Sequence, residues 1–421
     1  MSASLVNITI NGRRLQATAG QTVLQAAGDA GIAIPALCNH PHLRGEGACR
    51  VCLVEIEKQR TLQPACTFPV TEGMVVQTES PRAVESRKFA LQMIFSERSH
   101  YCMICPSSGS VDTTDCELQR LGYEYGLNFW AYPPDYAKPW PIDASRKHFV
   151  MDHSRCILCR RCMRACDTVA ANHTLGVHER GARTLICADD GVPFGQSTCV
   201  SCGTCLVVCP TGALQDRRSA YLGHASDLKR TRSVCLGCAT GCGIEVLTRD
   251  NQVVRIESDW SGPSGGLLCA TGRFEAVEPK PPRVNWPMVR HDGQLVETSW
   301  DKALVVIAER FAAAHRVAAL ASPRLTNESL AALTCFFHDV LGSNEIAMLY
   351  GEVPPLDLGA RASVHDIPLA DCVVVFGNPA RSQKVLGYLV RRAFDHDARI
   401  IVVHDEPTDL DALAAKCFRL Q

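Results

Sequence analysis

Eight cysteines in the middle of the chain repeat one short spacing, C-x2-C-x2-C-x3-C, in two runs. The first run is Cys156, Cys159, Cys162 and Cys166, and the second is Cys199, Cys202, Cys205 and Cys209. A tight loop of this kind supplies three thiolates to a cubane cluster and turns backbone N–H groups toward its sulfides, so the fourth thiolate comes from elsewhere. The spacing therefore predicts two [4Fe–4S] clusters, whose chemistry is one-electron transfer.

In this motif the last cysteine of each run ligates the cluster of the other run. We therefore expect Cys166 to complete the site of Cys199, Cys202 and Cys205. By the same rule, Cys209 completes the site of Cys156, Cys159 and Cys162. A pair of zinc ribbons is the alternative, but zinc needs only two cysteine pairs per ion and leaves the later members of each run unexplained.

A more widely spaced set, C-x10-C-x2-C-x13-C, lies near the N-terminus. Its members are Cys38, Cys49, Cys52 and Cys66. The plant-type [2Fe–2S] motif has a first gap of four residues, so this set departs from it mainly in one loop. Structural zinc also uses four cysteines and stays an alternative here.

The third group, H-x-C-x2-C-x10-C, combines one imidazole with three thiols. It consists of His100, Cys102, Cys105 and Cys116. A histidine is more often a surface or core residue than a ligand, but this one directly precedes three cysteines that lack a fourth member. An imidazole in place of one thiolate removes a negative charge and shifts the potential of the cluster.

The fourth group has the spacing C-x2-C-x3-C-x26-C, which again suits a [4Fe–4S] cubane. Its members are Cys235, Cys238, Cys242 and Cys269. Four further cysteines have no partners at such spacings, and we expect each to be a small buried apolar side chain. They are Cys187, Cys335, Cys372 and Cys417.

Strand, turn and helix signals surround the N-terminal set. Alternating residues from Leu5 onward precede Asn11-Gly12, which is a strong signal for a two-residue β-hairpin. Thr22 and Gln25 have the spacing of a capping box at the start of a helix. These elements predict a small ferredoxin-like domain that holds the [2Fe–2S] site.

The order of these groups resembles the large iron–sulfur subunit of respiratory complex I. It is equally similar to the N-terminal half of cytosolic NAD-linked formate dehydrogenase catalytic subunits, and its first part resembles the small diaphorase subunit of NAD-reducing hydrogenases. The His-x-Cys spacing and the phrase Asp115-Cys116-Glu117-Leu118-Gln119 look more like the hydrogenase and formate dehydrogenase branch. The resemblance covers residues 1–273.

Beyond Cys269 the sequence changes to an α/β pattern. Apolar runs at 317–322, 372–376 and 400–403 alternate with helical patterns near 327–341, 381–394 and 408–416. This alternation predicts a parallel sheet. Segments that begin at Trp286 and Ser299 resemble the entry to the molybdopterin-binding region of the formate dehydrogenase superfamily.

The same region departs from that superfamily at positions needed for catalysis. Thr271 stands where the active molybdenum enzymes carry a lysine, and His365, in a local sequence that does not match, is the one Cys or His near the expected metal ligand. The chain also stops at Gln421, ahead of the later pterin-binding domains. We therefore expect residues 284–421 to be a vestigial domain without molybdopterin that packs against a partner or covers the last cluster.

The motifs together predict a multi-domain α+β protein. We expect a beta-grasp [2Fe–2S] ferredoxin domain, a helical segment with the His and three Cys ligands, a two-cluster ferredoxin module, a [4Fe–4S] domain of the molybdopterin-oxidoreductase type and a truncated α/β domain. Their expected ranges are 1–78, 79–140, 141–223, 228–283 and 284–421. Pro279, Pro281 and Pro282 mark the last boundary.

Composition excludes several classes of partner. The 43 basic and 44 acidic residues leave a net charge of −1, so there is no electrostatic footprint for nucleic acid. No apolar run approaches the roughly 18–20 residues that span a membrane. We expect no secretory signal, because the sequence opens on a strand-like pattern without an apolar stretch. Closely spaced thiols in a reducing cytosol indicate metal ligands rather than disulfides. We expect a cytoplasmic protein.

A chain that carries only such clusters cannot exchange a hydride with NAD, because clusters transfer single electrons. We expect one [2Fe–2S] and four [4Fe–4S] clusters, no catalytic residue, and an electron-transfer role in a soluble NAD(P)-linked oxidoreductase. A flavin-bearing, NAD(P)-binding diaphorase subunit and a catalytic hydrogenase or dehydrogenase subunit are the expected partners. A complex I-like NADH dehydrogenase subunit, a molybdopterin-dependent formate dehydrogenase chain and a zinc-stabilised binding module are the alternatives.

Overall fold

The computed structural model describes residues 4–127, 129–278, 283–322, 325–349 and 362–420. The three prolines at the predicted last boundary, Pro279, Pro281 and Pro282, lie outside these ranges. The chain divides into two compact units. The first unit comprises residues 1–235, 242–277 and 363–421, and the second comprises 236–241 and 278–362.

A five-stranded sheet with one helix begins the first unit. The elements are β1 (Leu5–Ile10), β2 (Arg13–Thr18), α1 (Val23–Asp29), β3 (Leu53–Ile56), β4 (Gln63–Pro64) and β5 (Val75–Gln77). The strands lie in the order β2-β1-β5-β3-β4, and Asn11-Gly12 forms the predicted hairpin turn between β1 and β2. The predicted capping box is present, since the Thr22 side chain accepts from the Gln25 N–H and the Gln25 side chain accepts from the Thr22 N–H.

Two helices follow, α2 (Pro81–Glu97) and α3 (Glu117–Glu124). Their apolar faces share a core with the loop that carries Cys49. Ser80 caps α2, with Pro81 at the first turn, where a missing N–H costs nothing. Arg87 is fully buried and donates from Nε to the Leu53 carbonyl oxygen at 3.0 Å, which ties α2 to the sheet.

The next part of the first unit consists of short elements around a common core of Phe149, Met151, Ile186 and several cysteines. The elements are β6 (Ile142–Asp143), β7 (Phe149–Asp152), α4 (Arg161–Arg164), β8 (Leu175–His178), β9 (Leu185–Ala188), α5 (Thr204–Val207) and β10 (Leu214–Asp216). Strand β7 lies between β10 and β6, and β8 pairs with β9 in a hairpin.

A three-stranded antiparallel sheet follows in the first unit. It contains β11 (Lys229–Val234), β12 (Gly243–Arg249) and β13 (Gln252–Ser258), and α6 (Ala270–Arg273) comes after it.

The second unit contains a hairpin and a two-stranded parallel sheet. Its elements are β14 (Met288–His291), β15 (Gln294–Glu297), α7 (Trp300–Ala313), β16 (Ala319–Ala321), α8 (Asn327–Cys335) and β17 (Ile346–Met348). The chain then returns to the first unit with β18 (Cys372–Phe376), α9 (Pro379–Ser382), α10 (Lys384–Asp395), β19 (Arg399–Val403) and β20 (Lys416–Phe418). The strands β18 and β19 are parallel, as predicted for the runs at 372–376 and 400–403, and β20 extends their sheet. The run at 317–322 instead forms β16, which pairs with β17 in a separate parallel sheet.

The helix predicted over 408–416 is wrong. The structure has a single 3-10 turn at Asp411–Leu413, and Lys416 then begins β20, where it lies opposite Ile401 of β19. Strand pairing with the neighbouring sheet has overridden the helical propensity of this Ala- and Leu-rich segment. None of the helices within the described ranges combines the length and apolar character that a bilayer crossing requires.

Candidate iron–sulfur sites

The N-terminal set of four thiols lies in the loops around β3 and β4. Cys38, Cys52 and Cys66 are buried and Cys49 is partly buried. The thiols of Cys49 and Cys66 hydrogen-bond to Cys38, which lowers the pKa of Cys38, and this donation raises the pKa values of Cys49 and Cys66. The Cys66 thiol also hydrogen-bonds to Cys52 and lowers the pKa of Cys52. The structure therefore brings the four predicted ligands of the [2Fe–2S] site into one contact group.

The two central runs exchange their last members. The pKa of Cys162 is raised well above its usual range by burial and by the neighbouring thiols of Cys159, Cys156 and Cys209. Cys209 therefore lies beside three cysteines of the other run. The thiols of Cys202 and Cys199 likewise act on Cys166, whose burial raises its pKa to about 12. This is the arrangement that ligand exchange between the runs requires.

Burial leaves these thiols hard to ionise without a metal. Cys156, Cys159, Cys162 and Cys205 are all less than one tenth exposed, and burial raises the pKa of Cys156 to about 11. Thiols are metal ligands in the thiolate form, so loading such a site releases protons.

The backbone of His100 is fixed in a conformation that would position its ring before a metal binds. Its φ of 39° lies in the left-handed region, which a non-glycine residue adopts only where its surroundings hold it there. Its backbone N–H donates to the Ser154 carbonyl oxygen at 3.1 Å. Burial lowers the pKa of the ring to about 4, while a hydrogen bond with the Ile94 backbone acts in the opposite direction.

The remaining ring nitrogen of His100, Nε2, is buried without a hydrogen-bond partner. A metal-ligating imidazole characteristically uses one nitrogen on the metal and donates the other to a backbone carbonyl or carboxylate. Nε2 is therefore available to a metal. His153 Nδ1 is also buried without a partner, so the three following cysteines, and not the orphaned nitrogen alone, single out His100 as a candidate ligand.

The three thiols that follow His100 lie against the second central run. Cys102 is the first residue of a 3-10 turn, Cys105 directly follows that turn, and Cys116 caps α3. A Cβ added to Gly212, in the stretch Cys209-Pro210-Thr211-Gly212, would stand 2.3 Å from Cys105 Sγ. The Glu117 N–H also donates to the Pro210 carbonyl oxygen at 2.9 Å. The absence of a side chain at residue 212 is thus what lets this site approach the neighbouring one.

Three of the four thiols of the last group belong to the first unit. The Cys235 N–H donates to the Cys242 carbonyl oxygen at 2.9 Å, and Cys269 is the residue before α6. Cys238 falls in the short segment 236–241 of the second unit, where its thiol lies 3.4 Å from Thr240 Oγ1. Helix α10 shares an apolar core with Cys235, Cys242 and Cys269.

The prediction for the four remaining cysteines is wrong in its main point. Cys335, Cys372 and Cys417 are exposed, and Cys187 is partly exposed. Cys372 shares a face of the parallel sheet with the exposed Val374 and Phe376, and no layer of the described structure covers that face. Cys417 lies on the opposite face, in register with the buried Val402, but on the edge strand β20, whose three residues are all exposed.

Within the described ranges, no three His, Cys, Asp or Glu side chains form a group suited to a single metal ion. A single zinc gathers its ligands at 2.0–2.3 Å, whereas a cubane takes one thiolate at each of four irons and spaces them more widely.

Buried or partly buried arginines connect the sites, and the sequence analysis missed them. Arg164 donates to the carbonyl oxygens of Cys38 and Cys159, and Arg155 donates to that of Ile104 at 3.2 Å. Arg273 donates to the Cys202 carbonyl oxygen at 2.7 Å. Arg164 stands within the first central run and Arg155 directly precedes it, so basic residues in and beside a cysteine motif were the available signal.

These contacts set the order of the sites within the first unit. The N-terminal set adjoins the site of Cys156, which also adjoins the group of Cys105. The second central site then adjoins Cys269 through Arg273, and Gly203, at φ 71°, leaves room for that arginine. The arrangement is a row of neighbouring thiol groups with one side branch.

Comparisons with known proteins agree with this order. Residues 3–81 match the 2Fe-2S iron-sulfur cluster binding domain, 87–129 the NADH-ubiquinone oxidoreductase-G iron-sulfur binding region, and 155–213 the 4Fe-4S dicluster domain. Residues 228–276 match the molybdopterin oxidoreductase Fe4S4 domain, and 283–419 match the molybdopterin oxidoreductase family.

A G-type subunit of the NADH-quinone oxidoreductase of Rhizobium meliloti is 34% identical over 99% of this chain and 50% of its own length. The chain is homologous to the G-type subunits of NADH-quinone oxidoreductases. Other relatives of this chain include the NADPH-Fe(3+) oxidoreductase subunit alpha of Geobacter sulfurreducens, at 32% identity over 81% of this chain and 40% of that protein. A putative formate dehydrogenase of Staphylococcus haemolyticus is 26% identical over 92% of this chain and 44% of that protein.

Among solved structures, a crystal structure of a NAD+-reducing [NiFe]-hydrogenase matches with a TM-score of 0.44 and 31% identity. The match covers 51% of this chain and 89% of that one. The chain spans half or less of the length of the curated relatives described here. It contains one domain of the [2Fe–2S] type and several of the [4Fe–4S] type.

Proposed function

We propose that this chain is the iron–sulfur electron relay of a NAD(P)-linked oxidoreductase complex of the hydrogenase or formate dehydrogenase type. It would pass single electrons between a flavin-bearing diaphorase partner and a catalytic partner. The observation that carries the proposal is the row of neighbouring thiol groups in the first unit, from the N-terminal set to Cys269, which backbone and arginine contacts join.

The proposed ligand sets are those that the cysteine spacing predicts, and the contacts within the first unit support them. One [2Fe–2S] cluster is assigned to Cys38, Cys49, Cys52 and Cys66, and four [4Fe–4S] clusters to the remaining groups. His100 with Cys102, Cys105 and Cys116 forms the side branch, and Cys235, Cys238, Cys242 and Cys269 form the last site. Each cluster supplies one-electron redox chemistry, while the protein supplies ligands, burial and positive charge around it.

Iron counting and spectroscopy test this proposal. Anaerobically reconstituted protein should hold about 18 irons with matching acid-labile sulfide, as expected for one two-iron and four four-iron clusters. Dithionite should develop EPR signals of both cluster types, whereas NADH alone should not reduce the isolated chain. Colourless protein with zinc would refute the proposal, and so would direct reduction by NADH, which would place a hydride-accepting site on this chain.

A complex I-like role is the second candidate, and the 34% identity to a G-type subunit of an NADH-quinone oxidoreductase over 99% of the chain favours it. Co-purification decides between the two. Recovery with quinone-oxidoreductase subunits supports the complex I-like role, and recovery with a hydrogenase or formate dehydrogenase subunit supports the first proposal.

We further propose that the chain does not itself bind molybdopterin. Thr271 occupies the position at which the active enzymes carry lysine, and its hydroxyl donates to Glu275 at 2.7 Å, so the site offers an acidic group in place of a cation. About one equivalent of molybdenum per purified chain, or formate-dependent dye reduction by the chain alone, would overturn this part.

A further inference from the structure

One buried arginine contacts three different cluster-bearing segments. Arg161 lies within the first central run, between Cys159 and Cys162, and its side chain is 3% exposed. Its two terminal nitrogens pair with the two carboxylate oxygens of Glu117 at 2.6 and 2.7 Å. They also approach the carbonyl oxygens of Val208 and Ala36, each at 3.4 Å.

Each contacted group is a close sequence neighbour of a proposed cluster ligand. Glu117 follows Cys116 of the side branch, Val208 precedes Cys209, and Ala36 stands two residues before Cys38. One guanidinium therefore joins the N-terminal site, the side branch and the site of Cys156. It stands where the line of thiol groups branches.

The positive charge of Arg161 lies in a region that little solvent reaches. Its Nε is buried without a hydrogen-bond partner, and the thiols of Cys159 and Cys209 interact electrostatically with it. Positive charge and N–H donors near a cluster favour its reduced, more negative form and so raise the reduction potential. The Glu117 carboxylate, on the same guanidinium, acts in the opposite direction.

We propose that Arg161 and Glu117 form a charge pair that sets the potential of the site held by Cys156, Cys159, Cys162 and Cys209, and that Arg161 is the positioning residue at the branch point. This rests on the proposed function, because a potential is meaningful only if the clusters form. The two residues then control whether electrons collect at the branch point or pass beyond it.

The pair predicts shifts of opposite sign. Arg161→Gln removes a positive charge, so the potential of this site should fall. With a charge a few ångströms from the ligands and an effective dielectric near 20, the ratio of reduced to oxidised cluster at the wild-type midpoint should drop by about tenfold or more. Glu117→Gln removes the opposing charge and should raise the potential.

Arg161→Lys separates charge from geometry. It keeps the positive charge but loses the two-pronged contact that only a guanidinium makes. Its potential should stay near that of the wild type, while the magnetic interaction between neighbouring reduced clusters should weaken as the segments loosen. The adjacent Arg160→Gln is the matched control, because Arg160 is about half exposed and pairs with Glu46 at the surface.

The experiment is a redox titration of the reconstituted chain followed by low-temperature EPR, with iron determined on every sample. Opposite shifts in Arg161→Gln and Glu117→Gln, both larger than that in Arg160→Gln, support the proposal. Shifts of the same sign, or none beyond the control, overturn it while leaving the relay function intact. If Arg161→Gln does not retain iron, Glu117→Gln alone tests the proposal: a raised potential supports it, and a lowered or unchanged potential overturns it. Absence of clusters in the wild type instead refutes the proposed function.

Discussion

Replacing Gly212 by alanine tests whether Cys105 is a cluster ligand. The added Cβ would stand 2.3 Å from Cys105 Sγ and 3.3 Å from Ser107 Oγ. Gly212 does not have a positive φ, so the substitution brings steric conflict without backbone strain. The outcome therefore depends on whether the sulfur atom can move away.

The required movement can be estimated from the contact. An ordinary carbon–sulfur contact is roughly 3.5–4 Å, so the sulfur must retreat by more than about 1 Å. A thiol outside any cluster could do this by rotating about χ1 at a cost of about 1 kcal/mol. A metal-bound sulfur cannot, because ligand distances tolerate only about ±0.2 Å. We therefore expect Gly212→Ala to lose the side-branch cluster, with a fall of about four irons per chain.

The assay is iron and sulfide determination with EPR on reconstituted Gly212→Ala and on Gly176→Ala. Gly176 is the matched control, since it lies in the same part of the fold and its added Cβ would meet Cys187 Sγ at an ordinary 3.9 Å. Full iron content and unchanged EPR in Gly212→Ala would refute the assignment of Cys105. A loss in both variants would mean that the module tolerates no added methyl, and the steric reasoning would fail.

Three further predictions follow from other residues. Gly203→Ala should destabilise the chain by about 1–3 kcal/mol, because the new Cβ would stand 2.3 Å from Arg273 Cδ and Gly203 has a φ of 71°. Urea unfolding checks this against the control Gly28→Ala, whose new Cβ meets nothing within 4 Å. His100→Cys should keep the side-branch cluster but lower its potential, since a thiolate adds negative charge, whereas His100→Ala should lose the cluster. EPR titration and iron content distinguish the two results, and full iron content in His100→Ala would exclude His100 as a ligand. Burial lowers the pKa of His153 to about 4, so the imidazole is protonated at a higher pH in the unfolded chain than in the folded one. Up to about 3 kcal/mol of stability present above pH 6.5 should therefore be lost between pH 6.5 and 4. An equally steep loss of unfolding free energy in a His153→Gln variant would contradict this.

Local signals in the sequence predicted the elements near the first site well. The Asn11-Gly12 turn needs only the conformational preference of its own residues, and the Thr22–Gln25 capping box joins residues three apart. Both are present. The segment 408–416 was mispredicted because its strand is created by pairing with β19, a contact that local propensity does not encode.

The sequence by itself determined which residues could be ligands. Cysteine spacing is a local property of the chain, and a loop of two or three residues between thiols brings them near one another in almost any fold. It also determined the order of the cluster types, because that order follows the order of the motifs.

Only the tertiary structure decided how the sites are joined. The contacts of Arg161 with Glu117, of Arg273 with Cys202 and of Gly212 with Cys105 connect residues 44, 71 and about 107 positions apart. No spacing rule reaches across such distances, since these contacts depend on how separately formed elements pack. The exposure of Cys372 and the orphaned nitrogen of His100 were decided in the same way, because burial and hydrogen-bond satisfaction belong to the packed molecule rather than to any one segment.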